Sequence, residues 1–246
     1  MDEPDTLMPG LIAPDAHVEF VFHLGARCAM QRMGSSAWER LPRAMLYAQR
    51  SSCVRLRSVD AGSMVSFRTS AVVAGVILKR PMHDLWDQPV ALRDLCGASI
   101  EDLADQLMPL STSARFERVE HWLRQRLTPW DGDQARIERL HEQLVWRSNG
   151  APIERVATSI GTSLRSLRRW IGQSAGIAPK QLELSGRILR SCAELHERPD
   201  LTITAIAHQL GFSDQAAFAN AFHAQTAMTP SAFRAEPLVF YERGPG

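Results

Sequence analysis

The chain has 246 residues, 28 Lys+Arg against 27 Asp+Glu, and is 45% hydrophobic and 22% charged, a composition that excludes a disordered or fibrous protein. A formal charge of +1 excludes a uniformly basic, histone-like nucleic-acid binder, but it says nothing about a local basic surface. At this length two domains of about 100–140 residues each are expected.

In chain order, Met1 to Gly10 is acidic and has no basic stretch followed by an apolar core, so it does not read as a secretory leader. His17 to Gly25 partly alternates apolar and polar side chains before a glycine stop, Val54 to Arg57 alternates cleanly, and Met64 to Arg68 and Ala71 to Leu78 are β-branched-rich runs bounded by Gly62, Ser70 and Pro81. These predict three or four strands. Ala71 to Leu78 is also the longest apolar run, far short of the roughly 20 residues of a membrane span. His17, Glu19 and His23 invite a metal or acid–base reading, with His17 and Glu19 on one strand face, but local spacing supplies no third ligand, and a structural or surface role is expected.

After Pro81 the period changes. Leu92 to Gly97, Ile100 to Leu110 and Ser113 to Leu127 carry apolar residues at three- and four-residue spacing, which predicts amphipathic helices, the second capped by Ser99 with acids in its first turn. Thr128 to Asp133 is rich in turn formers, and the domain boundary is expected at Trp130. Residues 1–130 thus read as a mixed α/β (α+β) domain. Cys28, Cys53, Cys96 and Cys192 are scattered, with no C-x-x-C and no zinc-ligand spacing, so reduced, buried thiols in a cytoplasmic protein without metal or cofactor are expected.

The second half repeats itself. Ile153-x3-Ala157-x2-Ile160-Gly161-x-Ser163 recurs as Ile203-x3-Ala207-x2-Leu210-Gly211-x-Ser213, an offset of 50. Gly176 to Pro179 recurs as Ala227 to Pro230, an offset of 51. A small residue four before a glycine lets one short helix approach another, the glycine turns the chain, and Ser163 or Ser213 can cap the next helix. That is a helix-turn-helix pattern, present twice. The second helix of the first unit, about 162–174, carries Leu164, Leu167, Trp170 and Ile171 on one face and leaves Arg165, Ser166, Arg168 and Arg169 on the other, where arginine can pair with guanine in a major groove. No Asp or Glu lies between Arg155 and Glu183 to neutralise them, and Thr162 to Arg190 holds a local basic excess of five. In the second unit, about 213–225, Phe218 and Phe222 point inward and Gln215, Ala216, Ala219, Asn220 and His223 outward; Gln215 and Asn220 are either readers of adenine edges or ordinary surface amides. Pro179 to Arg198 reads as one connecting helix of about 30 Å, comparable with the roughly 34 Å between successive major-groove faces. Leu238 to Tyr241, in a tail of residues 237–246, is the next strand-like pattern.

The residues Ile203-x2-Ile206-Ala207-x3-Gly211-Phe212-Ser213-Asp214-Gln215-x2-Phe218-x3-Phe222, closing with Thr229-Pro230-Ser231-Ala232-Phe233-Arg234, resemble the AraC/XylS family of bacterial transcription regulators. The resemblance covers about Gln134 to Arg234. It implies an all-α domain over 134–236 of two helix-turn-helix units joined by a long helix, binding double-stranded DNA and engaging RNA polymerase or other transcription machinery. By that likeness the base-contacting positions are Ser163, Arg165, Arg168 and Arg169 in the first unit and Gln215, Ala216 and Asn220 in the second; phosphates would be held by helix N-termini and by Lys180, Arg187 and Arg190. Asn220 and His223 stand where basic residues are common in the family, and Ala227 where glycine is frequent. His17 to Gly25 and the stretch from Pro81 to Gly97 look like domains found ahead of such modules, which implies a small-molecule effector or an association role. The chain has no G-x-S-x-G, P-loop, H-E-x-x-H or G-x-G-x-x-G, and no catalytic residue is expected. The competing reading is a ligand- or partner-binding helical module that does not read DNA sequence.

Overall fold

A computed structural model of the protein describes residues 10–14, 16–25, 28–50, 52–60, 62–127, 132–236 and 238–240. The alternation of His17 to Gly25 becomes β2 (Val18–Leu24), whose even residues Val18, Phe20, Phe22 and Leu24 are buried on one side while Glu19, Val21 and His23 face the opposite one. β2 is central in an antiparallel sheet ordered β7-β2-β5-β8, with β5 (Ala44–Tyr47), β7 (Ser63–Thr69) and β8 (Pro89–Ala91). A second sheet is ordered β4-β3-β6-β1-β9, with β1 (Gly10–Ile12), β3 (Cys28–Arg32), β4 (Glu39–Arg40), β6 (Val54–Ser58) and β9 (Leu238–Phe240). Its pairs are antiparallel except the last, where Leu11 lies opposite Leu238 and Ile12 opposite Phe240 in parallel. The late strand expected near Leu238 therefore forms, and it completes a sheet of the N-terminal half.

Between the sheets lies a small core of Val21, Met30, Met45, Tyr47 and Val54. The other face of the β2 sheet is covered by helices: α1 (Ala71–Leu78), α2 (Leu92–Cys96), α3 (Ser99–Leu107) and α4 (Thr112–Arg124). There Phe20 stacks on its cross-strand partner Phe67, ring centroids 4.5 Å apart, with Trp122 of α4 edge-on to Phe20 at 6.3 Å.

Two local expectations are corrected. Ala71 to Leu78 is a helix, not a strand: the Ser70 hydroxyl accepts from the Val73 amide at 3.1 Å, and Lys79 closes the end at φ 53°. This helix is wedged among β7 and the later helices Gly132–Glu142 and Leu164–Ala175, so it is apolar all round and carries no helical period to read. Ser99 is the first residue of α3 and not its cap; Ala98 stands at that position and makes no side-chain bond. Among the described residues no helix is long and apolar enough to cross a membrane.

The C-terminal half is helical: α5 (Gly132–Glu142) runs into a π-helical turn (Gln143–Arg147), followed by α6 (Ile153–Ser159), α7 (Leu164–Ala175), α8 (Pro179–Glu197), α9 (Ile203–Gln209), α10 (Gln215–Thr226) and α11 (Pro230–Ala235). The mixed α/β region followed by helices matches the expected fold class. The linker expected at Trp130 falls in 128–131, outside the described residues.

Candidate nucleic-acid interface

The sequence repeat is a repeat of hydrogen bonds. In the first unit Gly161 donates to the Thr158 carbonyl at 3.0 Å and Thr162 to the Ala157 carbonyl at 3.0 Å; in the second, Gly211 donates to His208 at 3.0 Å and Phe212 to Ala207 at 3.0 Å. Both turn glycines have positive φ, 66° and 76°, the left-handed region where glycine is unstrained. Ala157 and Ala207 are buried under the turns.

The caps differ between units. The Ser163 hydroxyl accepts from the Ser166 amide at 3.1 Å, as expected. In the second unit the cap is Asp214 and not Ser213: its carboxylate accepts from the Ala217 amide at 2.7 Å, and the Ser213 hydroxyl donates to the same carboxylate at 3.1 Å. A charged acceptor at the positive end of a helix makes the stronger cap. The backbone donor of Ala217, then the Ser213 hydroxyl, hold the Asp214 carboxyl below its usual range.

On α7, Leu167, Trp170 and Ile171 are buried, and Ser163, Arg165, Arg168 and Arg169 are exposed. Among the described residues none of the three arginines has an ion pair or hydrogen bond. On α10, Phe218 and Phe222 are fully buried while Gln215, Ala216, Asn220 and His223 are exposed and Ala219 is half-buried; the Thr204 hydroxyl donates to the Gln215 side-chain oxygen at 2.6 Å, which leaves the amide NH2 facing outward from that contact. All seven base-contacting candidates are thus exposed, on two helices with matching turns.

The phosphate candidates divide. Lys180 keeps its ammonium at the surface, 59% exposed, while pairing with Glu183 at 2.9 Å. Arg187 is buried: it pairs with Glu183 at 2.8 Å, donates to the Gly211 carbonyl at 3.1 Å and lies 4.2 Å over the Phe212 ring. Arg190 donates to the Trp146 carbonyl at 3.0 Å and to the Asn149 side chain, and burial brings its pKa down to about 10. The expected phosphate role for Arg187 and Arg190 does not fit this placement, because both guanidinium groups are engaged inside the domain. Glu183, fully buried, accepts in addition from the Gly150 amide at 2.9 Å. It is a structural hub that the sequence reading passed over, although it is the lone acid between Arg155 and Glu194, three residues after Lys180 and four before Arg187.

His17 and Glu19 do not share a site: His17 packs on the His141 and Trp146 rings, 5.9 and 5.5 Å between centroids, whereas Glu19 pairs with Arg50 at 3.7 Å. Among the described residues no three His, Cys, Asp or Glu side chains are grouped to hold a metal ion.

Residues 156–236 match a family described as helix-turn-helix domain. The chain is 26% identical over 148 residues to the HTH-type transcriptional activator RhaS of Pectobacterium atrosepticum, covering 58% of this chain and 52% of that protein, so it spans about half the length of the curated relative it matches. Among solved structures, ToxT of Vibrio cholerae strain SCE256, bound to an unsaturated fatty acid, aligns at TM-score 0.48 and 12% identity over 99% of this chain and 100% of that one. The C-terminal domain of AraT, a response regulator from Geobacillus stearothermophilus, aligns at TM-score 0.39 and 23% identity over 48% of this chain and 94% of that one. Residues 156–236 thus carry a helix-turn-helix domain, with two turns of matching hydrogen bonds and one long helix between them, the arrangement that the resemblance to the AraC/XylS family implies.

Proposed function

We propose that the protein is a sequence-specific, double-stranded-DNA-binding transcription regulator that lays α7 and α10 in adjacent major grooves. The observation that carries this reading is the row of exposed, unneutralised arginines on α7, Arg165, Arg168 and Arg169, next to a capped helix N-terminus. The 19 residues of α8 span about 28 Å, close to one turn of B-DNA, so one chain can address two successive grooves. In this reading Ser163 and the three arginines contact the first half-site and Gln215, Ala216 and Asn220 the second, with α7 supplying most of the affinity. Lys180 and the N-termini of α7 and α10 hold phosphates. RNA polymerase or another part of the transcription machinery is the protein partner, and the N-terminal half takes the small-molecule effector.

Selection from a random duplex pool tests the proposal. Enrichment of a bipartite motif of about 17–20 base pairs is expected; a pool without any enriched motif would favour a helical module that binds another partner. With the selected site in hand, Arg168→Ala should cost about 1–3 kcal/mol on cognate DNA and relax preference at one position. An equal loss on random DNA, read by fluorescence anisotropy, would refute base reading by Arg168.

A further inference from the structure

The two sheets of the N-terminal half do not close fully on each other. Between them is a cavity of about 150 Å³, walled by Val21, Met30, Met45, Val54, Leu56 and Met64. Glu19, Tyr47, Arg50, Ser66 and Arg68 add polar groups to the lining, and a cavity of this size holds a molecule of about one benzene ring. Its notable polar group is His23, on the inward face of β2 and 3% exposed. Among the described residues neither ring nitrogen of His23 has a hydrogen-bond partner, a condition that native interiors rarely tolerate unless something else supplies the bond. Burial holds the imidazole below its ordinary pKa, so at neutral pH it is uncharged and offers one donor and one acceptor.

The ionisable groups around the cavity other than His23 are engaged, although among the described residues Arg50 and Arg68 each keep a buried Nε without a hydrogen bond. The Tyr47 hydroxyl donates to the Met30 sulfur at 2.9 Å, Arg50 is paired with Glu19 at 3.7 Å, and Arg68 also has a partner. An anion would have to compete with Glu19 for Arg50 and with the existing partner of Arg68, and would meet the Glu19 carboxylate in the same lining. One wall is shared with the reading domain: Leu189 of α8 lines the cavity, and its neighbours Ile188 and Cys192 sit in the core that holds Phe218 and Phe222 of α10.

We propose that this cavity binds a compact, uncharged molecule, a single ring or equivalent apolar body bearing one hydroxyl that hydrogen-bonds to His23, and that its occupancy is felt by α8 through Leu189. The effector role of the site rests on the DNA-reading proposal; the binding itself does not.

Calorimetric titration of the full chain with 4-methylphenol, toluene and benzoate tests it. The expected result is that 4-methylphenol binds about fivefold or more tightly than toluene, the factor that one net hydrogen bond supplies, and that benzoate binds more weakly than either. His23→Leu should bring 4-methylphenol down to the level of toluene and leave toluene unchanged. Val21→Phe, which fills the cavity without removing the imidazole, should lose both. On adding 4-methylphenol, amide hydrogen exchange should slow in α8 around Leu189. Absence of binding by 4-methylphenol at millimolar concentration, tightest binding by benzoate, a preference for the hydroxyl that survives His23→Leu, or binding that survives Val21→Phe would each overturn the site. Unchanged exchange in α8 would overturn the coupling. None of these measurements involves DNA, so their failure is distinguishable from failure of the duplex selection.

Discussion

Ala227 closes α10 at φ 57°, donating to the His223 carbonyl at 2.8 Å. Gly176 does the same for α7 at φ 74°. A left-handed alanine is strained by its Cβ, so Ala227→Gly should stabilise the protein by about 1 kcal/mol, seen as a raised urea midpoint; an unchanged midpoint would show that the position carries no strain. The two positions are not equivalent in the reverse sense, since a Cβ on Gly176 would lie 2.5 Å from His83 Cα. Alignment of the repeats makes the substitution at 227 readable from sequence, but the reason for glycine at 176, a neighbour more than ninety residues away, is not. Glu138 is a second such residue. It is half-buried and accepts from the Ser70 hydroxyl that also caps α1, and burial raises its pKa above 4.5, outweighing the opposing Ser70 bond. The folded state therefore favours the protonated form, and the stability that this confers, present below pH 4.5, is lost as pH rises through the raised value. Glu138→Gln should raise the thermal midpoint at pH 7.5 more than at pH 4; equal shifts at both would show that titration of Glu138 is not the cause.

At the scale of elements, α8 is both spacer and clamp. Glu183 binds the turn before the first unit through Gly150, and Arg187 binds the turn of the second through Gly211, so one buried ion pair fixes the two units to one helix. Glu183→Ala leaves Arg187 buried without its carboxylate and should cost about 3–5 kcal/mol, read by urea denaturation; a cost under about 1 kcal/mol would mean that the pair is dispensable. The units themselves were legible because amphipathic spacing and turn chemistry repeat at a fixed interval. The clamp was hidden inside the same stretch, where six cations and one acid read as surface charge although burial has drawn two of the arginines and the acid inward. In the N-terminal half, β2 and β6 announce themselves by alternation and β7 as a β-branched-rich run. β1, β3 and β5 do not: β1 is three residues long, β3 opens on three consecutive buried residues and β5 is buried along its whole length, so none of them alternates. The fully apolar α1 reads as a strand because a segment without polar residues shows neither period.

For the whole molecule, the two halves expected from length and from the turn-rich linker share their cores. One cluster joins Phe20 and Ile77 to Leu167 and Ile171 of the first unit, and another joins Leu11 and Cys53 to Ile188, Phe222 and Phe233. No local pattern can disclose this, because each face is simply apolar until its partner is known. Interlocked cores should unfold together. Calorimetry is expected to give a single transition with equal calorimetric and van't Hoff enthalpies; two resolved transitions would show that the halves are energetically separate. The thiols supply a second reading of the same event. Burial pushes Cys53 up to about 12 and raises Cys192 well above 9.0, so both should resist disulfide-exchange reagents at pH 8 and react only as the cores open.

The parallel pairing of residues 10–12 with 238–240 also sets a timetable for synthesis. Translation delivers β1 first and its edge partner more than two hundred residues later, when both helix-turn-helix units have already left the ribosome. Until then β1 is an uncovered strand edge, open to pairing with another chain, and at roughly 5–20 residues per second that interval lasts on the order of ten seconds or more. The nascent protein therefore carries this open edge through most of its synthesis, and β9 covers it only after both reading units have been made.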